Sequence, residues 1–216
     1  MIDYWFLLKC FLFGISASST VGPMFILTFN HSALHGFSKG LLTALGSALG
    51  DGLLIFLGFM GTLSLLQTSQ KYHVFIDFAG GFLLIVFGVF MLFQKAPSEM
   101  PKQPNIRGNW LLLYSVKSFL LTVMNPLTIF FFMFVSSQLV PDEAQALSTS
   151  NLLMGSACTM CGSLSILGSV AFAASSLGYV VSPKKLRIVS IITGLVILSI
   201  GSYFFIDAFR VLSKMF

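Results

Sequence analysis

Long apolar runs decide most of what this chain can fold into. Six of them, Tyr4 to Phe29, Gly40 to Leu66, Val74 to Phe93, Ser118 to Val140, Leu152 to Val180 and Ile188 to Leu212, match the roughly 20 residues that carry an α-helix across a bilayer. Membrane-barrel strands would alternate apolar with polar residues, and these runs do not. Charged residues make up only 9% of the 216, against about 25% in a soluble domain, so a water-facing surface cannot be covered. The chain reads as an all-α integral membrane protein with six transmembrane helices. Its fifth run is longer than a bilayer requires and is expected to tilt or to enter through an interfacial turn. Asn109 to Lys117, with Trp110 and Tyr114, reads as an interfacial lead-in to the fourth. The start MIDYW lacks the basic residues of a cleavable signal peptide, so the first run is expected to stay in the protein.

The segment 94–109, with three prolines and several charges, separates a first three-helix half, residues 1–93, from a second, residues 110–216. Lysine and arginine are distributed unequally between the two sides. The connections after the first, third and fifth runs carry Lys39, Lys95, Lys102, Arg107, Lys184, Lys185 and Arg187, whereas the opposite side holds Lys71, Arg210 and Lys214. Basic residues mark the cytoplasmic side, so both termini are expected outside the cytoplasm. The net charge of +5 is thus a topology signal. No basic run with interleaved aromatics exists to bind nucleic acid.

The halves match in order and at a nearly constant offset. Thr20-Val21-Gly22-Pro23 corresponds to Val123-Met124-Asn125-Pro126, Gly46-Ser47-Ala48 to Gly155-Ser156-Ala157, and Gly81 and Gly88 to Gly194 and Gly201. An odd number of crossings per half reverses the second half, which predicts two inverted-topology repeats, a construction common among secondary transporters. Pro23 and Pro126 lack an amide donor and bias the preceding residue away from helix, so the first helix of each half is expected to be broken. Carbonyls freed in lipid must find other partners. Ser16, Ser18, Ser19 and Thr20 precede one break, and Ser118 and Thr122 the other. Such paired interruptions are where transport sites form, with freed carbonyls for an ammonium and exposed amides for a carboxylate. Ser19, Thr20, Gly22, Pro23, Asn125 and Pro126 are therefore candidate substrate-binding residues.

Asp51 completes the candidate set. It lies near the middle of the second run, where a carboxylate costs about 2.5–3.5 kcal/mol even on the insertion scale, so it should face a cavity or a partner. It is the candidate for both substrate binding and proton coupling. Asp3, Asp77 and Asp207 sit near the ends of runs. Gly46 and Gly50, with Gly58 and Gly61 beyond them, read as close-packing positions. His31 and His35 are spaced as two ligands on one helix face, but no third ligand accompanies them, and no metal site is assigned. Cys158 and Cys161, like Cys10, sit in apolar runs and read as packing residues. No nucleotide-binding loop or catalytic triad is present, so the chain is expected to be a transporter rather than an enzyme, with no cofactor, driven by an ion or solute gradient.

Gly22-Pro23, Gly36 and Gly40, Gly46 with Gly50-Asp51, and Asn125-Pro126 resemble, in order and over essentially the whole chain, the lysine/homoserine (LysE/RhtB-type) exporters. The resemblance implies a six-helix inner-membrane exporter of amino acids or close derivatives, coupled to the proton gradient and homodimeric. Two positions depart from the family pattern. Val21 stands where the family has a first proline, and Leu127 where it often has lysine. Losing that lysine removes a positive charge beside the second break and bears on substrate preference. Two other functions compete. Transmembrane thiol-disulfide electron transfer would place a cysteine beside each break proline, but the neighbours here are Gly22, Met24, Asn125 and Leu127. Divalent-metal efflux would use Asp51 with His31 or His35 and calls for more ligands than the sequence offers.

Overall fold

The computed structural model describes residues 4–20, 22–66, 71–93, 110–140, 148–177 and 183–213. The connecting segment 94–109 and the acids Asp142 and Glu143 lie outside them. The described residues form helices and no strands: α1 (Tyr4–Ser19), α2 (Pro23–His35), α3 (Phe37–Leu66), α4 (Lys71–Phe93), α5 (Trp110–Val123), α6 (Pro126–Leu139), α7 (Thr149–Leu177) and α8 (Pro183–Leu212). Among them α3 and α7 are each long and apolar enough to cross a membrane, and taking the bent pairs α1–α2 and α5–α6 as one span each raises the number to four. The bends are 70° and 68°. Trp110 to Lys117, the described part of the stretch read as an interfacial lead-in, is helical and forms the first part of α5. Tyr114 is buried there and the Ser115 hydroxyl donates to the Leu42 carbonyl at 2.9 Å, which fixes this stretch on α3.

The polarity of the molecule suits lipid. Outer faces carry Leu49, Leu57, Phe82, Phe130, Phe172 and Ile192, all exposed, while Thr43, Ser118, Thr159 and Ser163 are fully buried. Several buried hydroxyls donate to helix carbonyls, as Ser118 does to Thr43 at 2.7 Å and Thr159 to Cys10 at 3.2 Å, whereas the buried Thr28 hydroxyl has no partner among the described residues. Interhelical bonds of this kind average only ~0.6 kcal/mol in a membrane, so close packing must supply most of the cohesion.

Glycines provide that packing. A side chain at Gly14 or Gly162 would strike the facing backbone of α7 or α1, and one at Gly46 would strike Ser115 on α5. On α4 and α8 the four glycines of the sequence match meet crosswise, each against the counterpart of the other. Gly81 lies against Gly201 and Phe205, and Gly88 against Gly194 and Leu198, so the two helices cross antiparallel. Gly50 packs on Thr122 and Gly58 on Ser136, as the close-packing reading requires; Gly61 has open space around it. The pattern of neighbours is regular: α1 packs on α7 as α5 packs on α3, and α2 packs on α7 as α6 packs on α3. Between them sits an apolar core of Phe6, Cys10, Leu54, Ile55, Phe59, Phe132, Val140 and Leu152.

Candidate functional site

Both breaks have the geometry that their prolines dictate. Gly22 is extended, with φ −94° and ψ −175°, and Pro23 begins α2. Proline at that position is preorganised for helix and lacks an amide that would have been unpaired anyway, so it costs α2 nothing while barring a helical Gly22. The first helical amide to close a turn is Ile26, which donates to the Gly22 carbonyl at 3.1 Å; at α6 Ile129 donates to Asn125 at the same distance. First-turn amides ahead of them have no partner within their own helix. On the other side of the first break, side chains serve the carbonyls: Ser19 donates to Ile15 and Thr20 to Ala17, each at 2.7 Å.

The breaks open on one cavity of about 710 Å³, within the range of small-molecule sites. Thr20, Gly22, Pro23, Ser18 and Ala17 line it from the first break, and Leu120, Leu121, Thr122, Met124, Asn125 and Thr128 from the second. Ser47 and Asp51 enter from α3, Phe131 and Phe132 from α6, Leu167 from α7 and Ile197 from α8. Phe13 closes the aromatic wall behind Phe131 and Phe132, with ring centroids 5.7 and 5.3 Å away. Asp51 is the sole ionisable group in this lining. A cationic group entering from either break thus meets one acid and no competing base.

Asp51 is only 6% exposed and joins three helices. The hydroxyls of Ser163 on α7 and Ser18 on α1 face its carboxyl. Ser163 Oγ also lies 3.4 Å from the Gly14 carbonyl of α1. A hydroxyl has one proton, so the two acceptors compete. With Asp51 ionised, Ser163 donates to the carboxylate. With Asp51 protonated, the acid can donate to Ser163 Oγ and Ser163 to Gly14. The charge on Asp51 therefore bears directly on the α1–α7 joint.

Of the residues singled out in the sequence, Thr20, Gly22, Pro23, Asp51 and Asn125 come together on the cavity wall. Pro126 begins α6. Ser19 does not reach the cavity, because its hydroxyl folds back on α1 on the exposed side. Ser18, one residue earlier and about 100° around the helix, takes that place. The sequence carried a signal for it: the buried residues of α1 are Phe6, Cys10, Gly14 and Ser18, a strict stride of four. Ser47, Thr122, Ser163, Leu167 and Ile197 were not assigned to the site from sequence. The first four fall on the same kind of stripe, whereas Ile197 had no local signal.

His31 is engaged by Thr43, its Nδ1 lying 2.7 Å from Oγ1, and by the Tyr114 ring at 4.6 Å. No group of three or more potential metal ligands occurs among the described residues. The three cysteines are free: Cys10 is buried, Cys158 half-buried and Cys161 exposed. Cys158 packs against the apolar core. Replacing Cys158 and Cys161 together by alanine is expected to leave transport within about twofold of the wild type. Loss of flux at normal protein level, read in reconstituted vesicles, would return thiol chemistry to consideration.

A solute-sized cavity at two helix breaks, holding a single acid inside a hydrophobic helical body, defines a membrane transporter and not an enzyme. The comparisons agree. The LysE type translocator family model matches residues 15–208, and the chain belongs to that family. It is 27% identical over 201 residues to the "Putative amino acid efflux protein YcgF" of Bacillus subtilis (strain 168), covering 91% of this chain and 93% of that one. A leucine efflux protein of Enterobacter sp. (strain 638) is 26% identical over 62% of this chain and 63% of its own. Another, from Salmonella choleraesuis (strain SC-B67), is 26% identical over 46% and 45%. No solved structure gives a significant match.

Proposed function

We propose that the protein exports an amino acid with an apolar side chain across the cytoplasmic membrane in exchange for protons, through the cavity at the two helix breaks. The observation that carries this is the lone acid, Asp51, set in an apolar cavity wall beside two helix N-termini. In this reading Asp51 receives the ammonium group. The unpaired first-turn amides of α2 or α6 receive the carboxylate, which a helix N-terminus favours. Met24, Phe25, Leu27, Leu121, Phe131 and Leu167 surround the side chain. No basic residue lines the cavity to hold a second carboxylate, and Leu127 replaces the lysine common at that position of the family. An aliphatic solute is therefore favoured over an acidic one, in keeping with the leucine efflux proteins among the relatives. Proton and ammonium compete for the same carboxylate, which provides the coupling: one leaves as the other arrives.

The reading includes six spans arranged as two inverted three-helix repeats, residues 1–93 and 110–216. The exchanged packing partners of the two halves support it, as does the antiparallel α4–α8 crossing. It also places both termini and Asp142 outside the cytoplasm, with Lys102 and Lys184 inside. Single cysteines at positions 102, 142 and 184 of a cysteine-free protein test this placement. In intact cells an impermeant thiol reagent is expected to label position 142 only; labelling of 102 from outside would reverse the orientation.

The experiment that tests the function is counterflow in proteoliposomes. Vesicles preloaded with unlabelled leucine should take up labelled leucine from trace concentration, and unlabelled glutamate should not compete. Equal competition by glutamate would contradict the apolar-substrate assignment.

A further inference from the structure

Asp51 needs a route for its proton as well as a partner, and the helix that carries it supplies one. Thr43, Ser47 and Asp51 are spaced four residues apart and so stand on one face of α3. Their exposures are 0%, 2% and 6%, so this is a buried file of oxygen-bearing side chains. Ser47 and Asp51 line the cavity, and Ser47 Oγ lies 3.2 Å from Thr122 Oγ1. At the other end Thr43 Oγ1 lies 2.7 Å from Nδ1 of the buried His31. Thr43 itself donates to the Lys39 carbonyl at 2.9 Å, so its oxygen is the acceptor and His31 carries its hydrogen on Nδ1. One turn further along α2, Nδ1 of His35 is buried with no hydrogen-bond partner among the described residues. The two imidazoles are 6.3 Å apart, and α2 ends at His35. Gly36, at φ +89°, then turns the chain straight into α3.

We propose that His31, Thr43 and Ser47 form a proton-conducting file joining Asp51 to the α2–α3 end of the protein, with His31 as its ionisable relay. Successive members of the α3 file are about 6 Å apart along the helix, a gap that one bridging water spans. The ring first shifts its hydrogen from Nδ1 to the other nitrogen, which turns Nδ1 into an acceptor toward Thr43. A proton from Asp51 then passes through Ser47 and Thr43 to Nδ1 as the other nitrogen releases one, which restores the starting tautomer with no net charge. Imidazole suits the role because it is the side chain that changes charge most readily near neutral pH. Tyr114 on α5 and His35 on α2 stand against the His31 ring, and α7 reaches this end through the Ala171 carbonyl, which accepts from Ser32, and through Phe172, which packs on Phe37.

The proposal rests on the proton-coupled reading of the cavity, and the test separates the two. Purified protein is reconstituted with a pH-sensitive dye in the lumen, and leucine-dependent proton movement is measured beside leucine:leucine exchange. For His31→Gln and Thr43→Val the expected result is loss of ~90% or more of proton movement, with exchange within about twofold of the wild type. Thr43→Ser, which keeps the hydroxyl, should restore proton movement. Retained exchange establishes folding in each variant. If His31→Gln moves protons at the wild-type rate while Asp51→Asn does not, the file is overturned and the role of Asp51 stands. If both variants move protons normally, the file and the coupling role of Asp51 fail together. A parallel loss of exchange and proton movement in Thr43→Val, unrestored in Thr43→Ser, would make these residues structural and also overturn the file.

Discussion

Asp51→Asn is expected to insert normally and to lose gradient-driven accumulation entirely. The amide keeps the shape of the carboxyl and can still bond Ser18 and Ser163, and a neutral group at that depth is no harder to insert than a charged one. What it cannot do is bind and release a proton. With the membrane potential clamped and the lumen one pH unit more acid than the bath, one-for-one exchange lets protons leave as substrate enters. That gradient is worth 1.36 kcal/mol, or about a tenfold accumulation. Wild-type vesicles should approach that ratio for leucine, and Asp51→Asn vesicles should stay at unity. Affinity should also fall, because removing one member of a buried charge pair costs about 2–5 kcal/mol, at least ~30-fold in binding. Asp51→Glu should recover part of both. Normal accumulation by Asp51→Asn at matched protein amount would make the carboxylate structural.

The second large effect concerns the prolines. The structure refines why they matter: Pro23 opens α2 and takes no hydrogen bond away from it, so its influence lies in keeping Gly22 extended. An alanine there permits α1 and α2 to join as one continuous helix, and Pro126→Ala permits the same for α5 and α6. Straightening a 70° bend would move Thr20 and Gly22 away from Asp51 and pair the first-turn amides that await a carboxylate. The double variant Pro23→Ala/Pro126→Ala should melt higher than the wild type and lose flux by ~10-fold or more. Each single variant should fall between. Unchanged flux and apparent affinity in the double variant would make the prolines simple kinks and place substrate binding elsewhere.

The parts of this site that were legible in sequence are those that break the rules of a lipid-spanning helix. Gly22-Pro23, Asn125-Pro126 and Asp51 are anomalies wherever they point, and composition alone exposes them. The side chains that complete the cavity are ordinary in a membrane helix, and only their azimuth makes them lining. Ser19 and Ser18 are chemically alike; facing α7 or facing lipid decides between them, and a stride from Gly14 to Ser18 was the available clue. Ile197 reaches the cavity from the last helix through the packing of Leu84, Phe134 and Ile197, a contact that no local pattern encodes. The same limit applies to Tyr114, whose ring contact with His31 joins helices far apart in the chain and has no local pattern to announce it. Matched glycines were readable as spacing, but their meeting across α4 and α8 depends on two helices far apart in the chain.

The most direct measurement is accumulation of labelled leucine, alanine, lysine and glutamate by wild-type proteoliposomes under an imposed pH gradient, with Asp51→Asn vesicles as the matched comparison. The account predicts that leucine concentrates in the acidic lumen about tenfold per pH unit, that lysine and glutamate concentrate little or not at all, and that Asp51→Asn removes the accumulation. Wild-type vesicles that exchange none of these amino acids, or that concentrate leucine equally well with Asp51→Asn, would contradict it.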